Sequence, residues 1–265
     1  MTAFGVNTEL EARPAHRALY GQLGYTRHFY SPTQQVAWHR GSLATHIWDT
    51  GEVPVVSVKS YSEADLTALM TEALGDFWLC YDHEPEARIA ASPDPAAAAK
   101  LWCDTWGRLR TLRDSMPAAV AAKCHLVPIL NRWQHVRAGF GWELLLDGCD
   151  LGDAIGVDSY AEAAQAAHGL YTPPDELLYP ALALAGDLGT DAWCVPEFGA
   201  HVAAGDDGTR HGEYLRSVIS ASALAGAEWV SYWCNAKDGF HLDVPGQESG
   251  LAVWRTAVAA TPADA

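Results

Sequence analysis

The feature that most limits what this 265-residue chain can fold into is an alternation carried along nearly all of it. Short apolar or β-branched runs are each followed by a longer stretch of helical period. Eight runs read as strands: 4–7, 26–30, 53–59, 77–84, 124–131, 154–160, 192–197 and 229–235. Their starts lie roughly 20 to 45 residues apart, too irregular for a solenoid repeat and suited to successive βα units. Eight such units in a chain of about 260 residues match an α/β (β/α)8 barrel, in which eight parallel strands are ringed by helices. An open doubly wound sheet is disfavoured, because the first run leads into Val6-Asn7-Thr8-Glu9 rather than a glycine-rich phosphate loop. No Gly/Ser-rich or Pro-rich linker divides the chain, so residues 1–265 read as one barrel domain.

The helical stretches carry their own punctuation. Ser62-x-x-Asp65 opens a segment whose Leu66, Leu69, Met70, Ala73 and Leu74 follow helical spacing, and Gly75 closes it. Asp94-Pro95 supplies an N-cap and a first-turn proline for a helix through Trp106 and Leu112. Leu178, Ala181, Leu182 and Ala185 form an apolar stripe ending at Gly186 or Gly189. A last helix is predicted over 247–260.

Charge and cysteine content narrow the partners. With 33 acidic against 17 basic residues the net charge is −16, which repels nucleic acid and anionic membranes. Glu9, Glu11 and Arg13 interrupt any signal-peptide core, and no apolar run approaches the roughly 18 residues of a membrane span. The six cysteines (80, 103, 124, 149, 194 and 234) fall one per segment without a C-x-x-C pair and read as reduced, mostly buried thiols. No zinc, P-loop, dinucleotide or serine-elbow motif is present, so no cofactor or metal is implied.

In a barrel, functional side chains stand at the C-terminal ends of strands. The fourth run, FWLCYDHEPE, ends in His83-Glu84-Pro85, and the seventh, AWCVPEFG, ends in Glu197. Alternation groups Trp193, Val195 and Glu197 on one face, which turns Glu197 inward if Val195 fills the barrel. For His83 and Glu84 both to face the site, the fourth strand needs a bulge near its end. Two carboxylates facing each other across the mouth can break a glycosidic bond. One protonates the leaving oxygen and the other attacks the anomeric carbon, which retains configuration when they stand about 5–5.5 Å apart.

This pattern resembles the clan A glycoside hydrolases. The His-Glu form is most similar to family 26, which includes β-mannanases and related endo-glycanases. The resemblance is carried by HEPE at 83–86, GVDSY at 156–160, PEFG at 196–199 and VSYW at 230–233. It implies a retaining two-glutamate mechanism acting on a polysaccharide or oligosaccharide, with Glu84 as acid/base and Glu197 as nucleophile. His83 would contact the site beside Glu84, Tyr160 would lie near the nucleophile, and Trp233 would stack under the sugar at the cleavage point. Asp158, at the strand end with Tyr160, and Asn235, on a face with Trp233, are candidate substrate contacts. Arg27 and His28, Lys59 and Asn131, near the ends of the second, third and fifth runs, are candidate rim or substrate contacts. Glu86 reads as an ordinary surface acid.

The chain has 11 Trp, far more than space-filling needs. Trp102 and Trp106 read as helix packing, whereas Trp133 and Trp142, after the fifth run, are candidates for sugar-stacking subsites. A barrel that binds glycans without cleaving them, as in a cell-wall or phage-associated protein, is the alternative reading.

Overall fold

The computed structural model describes residues 2–7, 13–30, 48, 50–149, 151–234 and 239–261. Strands and helices alternate in the order β1 (Ala3–Asn7), α1 (Arg13–Tyr20), β2 (Tyr25–Tyr30), β3 (Val53–Val58), α2 (Glu63–Glu72), β4 (Phe77–Tyr81), α3 (Glu86–Ala90), α4 (Pro95–Ser115), α5 (Ala118–Ala121) and β5 (Cys124–Leu126). There follow β6 (Ile129–Asn131), α6 (Arg132–Val136), α7 (Glu143–Leu146), β7 (Ile155–Tyr160), α8 (Ala163–Ala167), α9 (Pro174–Leu188), β8 (Trp193–Gly199), α10 (Thr209–Leu224), β9 (Trp229–Trp233) and α11 (Glu248–Ala259). Every strand pairing is parallel, in the sheet order β5-β4-β3-β2-β1-β9-β8-β7-β6.

The two ends of that order, β5 and β6, are the halves of the fifth predicted run. Val127 still donates to Leu79 of β4 at 3.1 Å, and one residue later the Pro128 carbonyl accepts from Gly156 of β7 at 2.9 Å. Proline has no N–H to extend a ladder, so the strand hands over from one neighbour to the other at this point. The sheet thereby closes on itself, and the chain is a (β/α)8 barrel.

The helix signals act as their chemistry requires. Ser62 and Asp65 form the full capping box of α2, burying Leu66, Leu69 and Met70, and Asp94 caps α4 with Pro95 in the first turn. Helix α9 ends on left-handed Gly189 and buries Leu177, Leu178, Ala181, Leu184 and Ala185; Leu182 faces out at 42% exposure.

Two buried clusters divide the core. The larger lies between strands and helices and holds Trp102, Trp106, Trp193 and Val195. The smaller, with Tyr25, Val55, Trp78, Cys80, Ile129, Cys194 and Trp229, fills the barrel. Tyr25 stacks on Trp229 at 5.1 Å between ring centroids, and Trp78 meets Trp229 at 4.7 Å. Strands β2, β4 and β9 are not neighbours, so these rings meet only across the barrel interior.

Three expectations are corrected. Trp193 and Val195 pack outward and Cys194 packs inward, the reverse of simple alternation from Glu197. The fourth strand ends at Tyr81, not Glu84. Cys103 and Cys149 form a disulfide that joins α4 to the turn after α7, while Cys80, Cys124, Cys194 and the half-buried Cys234 are free thiols. Side chains from two different helical layers meet there, a proximity that spacing along the chain does not reveal. Among the described residues no helix is long and apolar enough to cross a membrane.

Candidate active site

The inner face of the barrel changes character toward the strand ends. Above the Tyr25–Trp78–Trp229 layer lies Arg27, fully buried. Its Nη1 donates to both oxygens of Asp158 at 2.9 and 3.0 Å and lies 2.8 Å from Oε1 of Glu197, while its Nε donates to Ser57 at 3.0 Å. Burial by itself lowers the guanidinium's pKa, but Asp158 and Glu197 outweigh it and push the pKa up. Asp158, 1% exposed, is pushed up by burial and the adjacent carboxylates despite Arg27. Arg27 and Asp158 are therefore not rim or substrate contacts. They form an ion pair beneath the site, because their strand positions face the closed interior.

Glu197 reaches this pair through a defect in β8. Pairing with β9 runs from Val195↔Val230 to Phe198↔Tyr232, three residues against two, and the β7 edge shows the same extra residue. Such a bulge reverses which face the following side chains occupy. That reversal turns Glu197 inward even though Val195 points out. Its Oε2 accepts from the Tyr160 hydroxyl, whose pKa is pushed up by burial and by the Glu197 charge. Two donors on one carboxylate hold its orientation.

Glu84 arrives by a different backbone device. Beyond Tyr81, Asp82 (φ +52°) and Glu84 (φ +49°) both take the left-handed conformation, uncommon outside glycine and stored at functional sites. The Asp82 N–H still donates to Val58 at 2.7 Å, whereas the Glu84 N–H donates to Ile129 at 2.8 Å, across to the next barrel strand. These two residues do the work expected of a bulge. They leave the Glu84 side chain half-buried at the mouth, where Oε1 accepts from the Asn131 amide at 2.5 Å. The Tyr160 hydroxyl feels the charges of both Glu197 and Glu84, so both carboxylates lie within electrostatic reach of it.

Aromatic groups wall the same mouth. Phe29 meets His83 at 5.4 Å and Trp233 at 5.7 Å, edge-on in each case, with the Arg27 guanidinium 4.7 Å from its own ring centroid. Burial, then the Arg27 and Lys59 charges, push His83 down to about 2, so it serves as a neutral imidazole. Phe240 stacks on Tyr160 at 5.4 Å. Phe29 and Phe240 are absent from the residues singled out by sequence, since neither ends a strand on a polar motif.

The structure thus brings together Glu84, Glu197, His83, Tyr160, Asn131 and Trp233, with Arg27 and Asp158 below. Lys59 is exposed just past β3, and Trp133 is 57% exposed on α6. His28 is buried against Thr26, off the rim. Asn235 lies outside the described residues. Trp142 is not a subsite: it is 4% exposed and its indole N–H donates to Glu86 at 3.0 Å. Nor is Glu86 a surface acid. It is completely buried, and desolvation pushes its carboxyl up to about 7. Among the described residues no three His, Cys, Asp or Glu side chains converge to hold a metal ion.

No family model and no curated protein sequence matches the chain. Solved structures do. Cel5A from Thermotoga maritima, in complex with a mannotriose substrate, aligns over 95% of this chain and 97% of its own, with TM-score 0.61 and 11% identity. A family 1 β-glucosidase from the same organism aligns over 94% and 86%, with TM-score 0.60 and 10% identity. An exo-β-1,4-mannosidase from an Opitutaceae bacterium aligns over 98% of this chain and 59% of its own, with TM-score 0.61 and 15% identity. At such identities the likeness is one of fold, and it places the chain among barrels of this architecture.

Proposed function

We propose that this chain is a retaining glycoside hydrolase in which Glu197 is the nucleophile and Glu84 the acid/base. One observation carries the reading: Glu197 is gripped by Arg27 at 2.8 Å and by the Tyr160 hydroxyl, while Glu84, just past the fourth barrel strand, lies within electrostatic reach of the same hydroxyl. An ion pair and a phenol aimed at one carboxylate prepare it to attack an anomeric carbon, and the second carboxyl is placed to deliver a proton to the departing oxygen. The Asn131 amide nitrogen can only donate, so the Glu84 oxygen it meets is an acceptor and the other oxygen is the one placed to give the proton. After the glycosyl–enzyme ester forms, the Glu84 carboxylate removes a proton from water to complete hydrolysis.

The fold neighbours are consistent with this reading through their names, a glucosidase and a mannosidase among them. Because family 1 appears among them while the motifs resemble family 26, the proposal is made at the level of clan A. A β-linked glucoside or mannoside is the proposed substrate class, and the net charge of −16 favours neutral over anionic glycans.

The test is Glu197→Ala assayed on aryl β-glucosides and β-mannosides. Turnover falls roughly 10⁴-fold, the scale of losing a covalent nucleophile, and azide restores product as the glycosyl azide of inverted configuration. Undiminished hydrolysis by the variant overturns the assignment. Glycan binding with no hydrolysis by the wild type favours the non-catalytic barrel.

A further inference from the structure

We infer that Glu86 is a positioning residue for the proposed acid/base, holding Asn131 so that its amide meets Glu84. The inference rests on the glycosidase reading above and extends it to a residue outside the substrate's reach. Glu86 opens α3, two residues after Glu84, and is completely buried. One oxygen, Oε1, accepts from the Asn131 backbone N–H at 2.6 Å and from the Trp142 indole at 3.0 Å. Asn131 is thereby fixed at its backbone by Glu86, while its Oδ1 accepts from the Gln134 N–H at 3.2 Å as the cap of α6. With the main chain and one end of the amide both held, its Nδ2 has one remaining direction, toward Oε1 of Glu84 at 2.5 Å.

The far end of the relay is equally anchored. The Trp142 indole lies flat on His135, with centroids 4.1 Å apart and planes 13° apart, and His135 in turn bonds the Phe140 carbonyl at 3.0 Å. Trp142 immediately precedes α7, whose following turn is held to α4 by Cys103–Cys149. A carboxyl buried without an ion-pair partner is costly to retain, and an apolar side chain would fill the volume at less cost. What an apolar residue lacks is an acceptor reaching two N–H groups on different elements. Reach is therefore the property the position needs, and Glu84 receives its effect through Asn131.

The experiment compares kcat/KM on two leaving groups in the β-glucoside and β-mannoside series: phenyl, which departs only when protonated, and 2,4-dinitrophenyl, which needs no proton. Glu86→Gln keeps the acceptor and its reach, and retains the wild-type ratio within about threefold. Glu86→Leu removes the acceptor, and Glu86→Asp keeps the acid but shortens it by one methylene. Both lose at least tenfold on the phenyl glycoside with less than threefold change on the dinitrophenyl one, and azide raises their kcat on the latter. Combined with Asn131→Ala, the Glu86→Asp loss is not additive, because both act through one bond. Equal losses on both leaving groups, or a Glu86→Asp variant that behaves as wild type, overturn the inference. A wild type and Glu84→Gln pair that shows no leaving-group dependence overturns the underlying glycosidase reading instead, and the Glu86 role falls with it.

Discussion

At the residue scale, the site is decided by what holds each carboxylate. Tyr160 donates to Glu197, and in the proposed mechanism that bond holds the carboxylate in line for its attack. Hydrogen bonds to charged groups contribute about 1.5–3 kcal/mol. Tyr160→Phe is therefore expected to lower kcat/KM roughly 10- to 100-fold while the urea midpoint moves little, measurable by steady-state kinetics beside a denaturation curve. Glu86 makes a separate thermodynamic prediction. Its folded-state pKa, raised by burial to about 7, lies above the ordinary glutamate value. Between the two values the folded protein holds a proton that the unfolded chain has released, so stability falls as pH rises through that window and levels off above 7. The decline attributable to this one group is about 3 kcal/mol, from about 2.5 pH units of linkage. Urea unfolding of wild type against Glu86→Gln between pH 4.5 and 8 isolates it: the wild type loses stability relative to the variant, and parallel curves refute the assignment.

At the scale of elements, three local breaks in regularity put the groups in place. The extra residue in β8 inverts facing between Val195 and Glu197, the left-handed pair at Asp82 and Glu84 ends β4 early, and Val127-Pro128 passes the fifth strand from one neighbour to the other. Hydrophobic period and caps were legible in the sequence because they depend on residues a few positions apart. The bulge was not, since a two-against-three pairing exists only between β8 and its neighbours. The disulfide is hidden from the sequence for the same reason, because Cys103 and Cys149 are 46 residues apart and meet only when α4 packs beside α7. Closing a loop of that length restricts the unfolded chain by about 4 kcal/mol in the chain-entropy model. Cys103→Ser with Cys149→Ser is expected to lose up to that amount in urea unfolding, and an unreduced digest of the wild type should contain the two cysteine peptides as one species. Two separate peptides would exclude the bond.

At the scale of the whole molecule, the barrel works as a vessel with a packed floor and a charged middle. Tyr25, Trp78 and Trp229 fill the bottom, and Arg27 from β2 binds Asp158 from β7 and Glu197 from β8 directly above them. A cation held by strands on opposite sides ties the wall together as well as orienting Glu197. Arg27→Met leaves Asp158 buried without its counter-charge, a loss of about 3–5 kcal/mol seen as a lower urea midpoint, and the deficit grows with rising pH as that carboxyl is forced to ionise. An unchanged midpoint would show that the pair contributes nothing to stability. By itself the sequence determined the succession of strand and helix, the capping of α2 and α4, and the presence of a glutamate at the end of the fourth and seventh runs. Each follows from period, propensity and spacing, which are local. Only the tertiary structure decided which way those glutamates face, that Arg27, Asp158 and Glu86 lie inside, that Trp142 serves Glu86 and not a sugar, and that two thiols join. Burial and facing are properties of closure: they arise when strands far apart in the chain pair edge to edge, and no window of neighbouring residues contains that information.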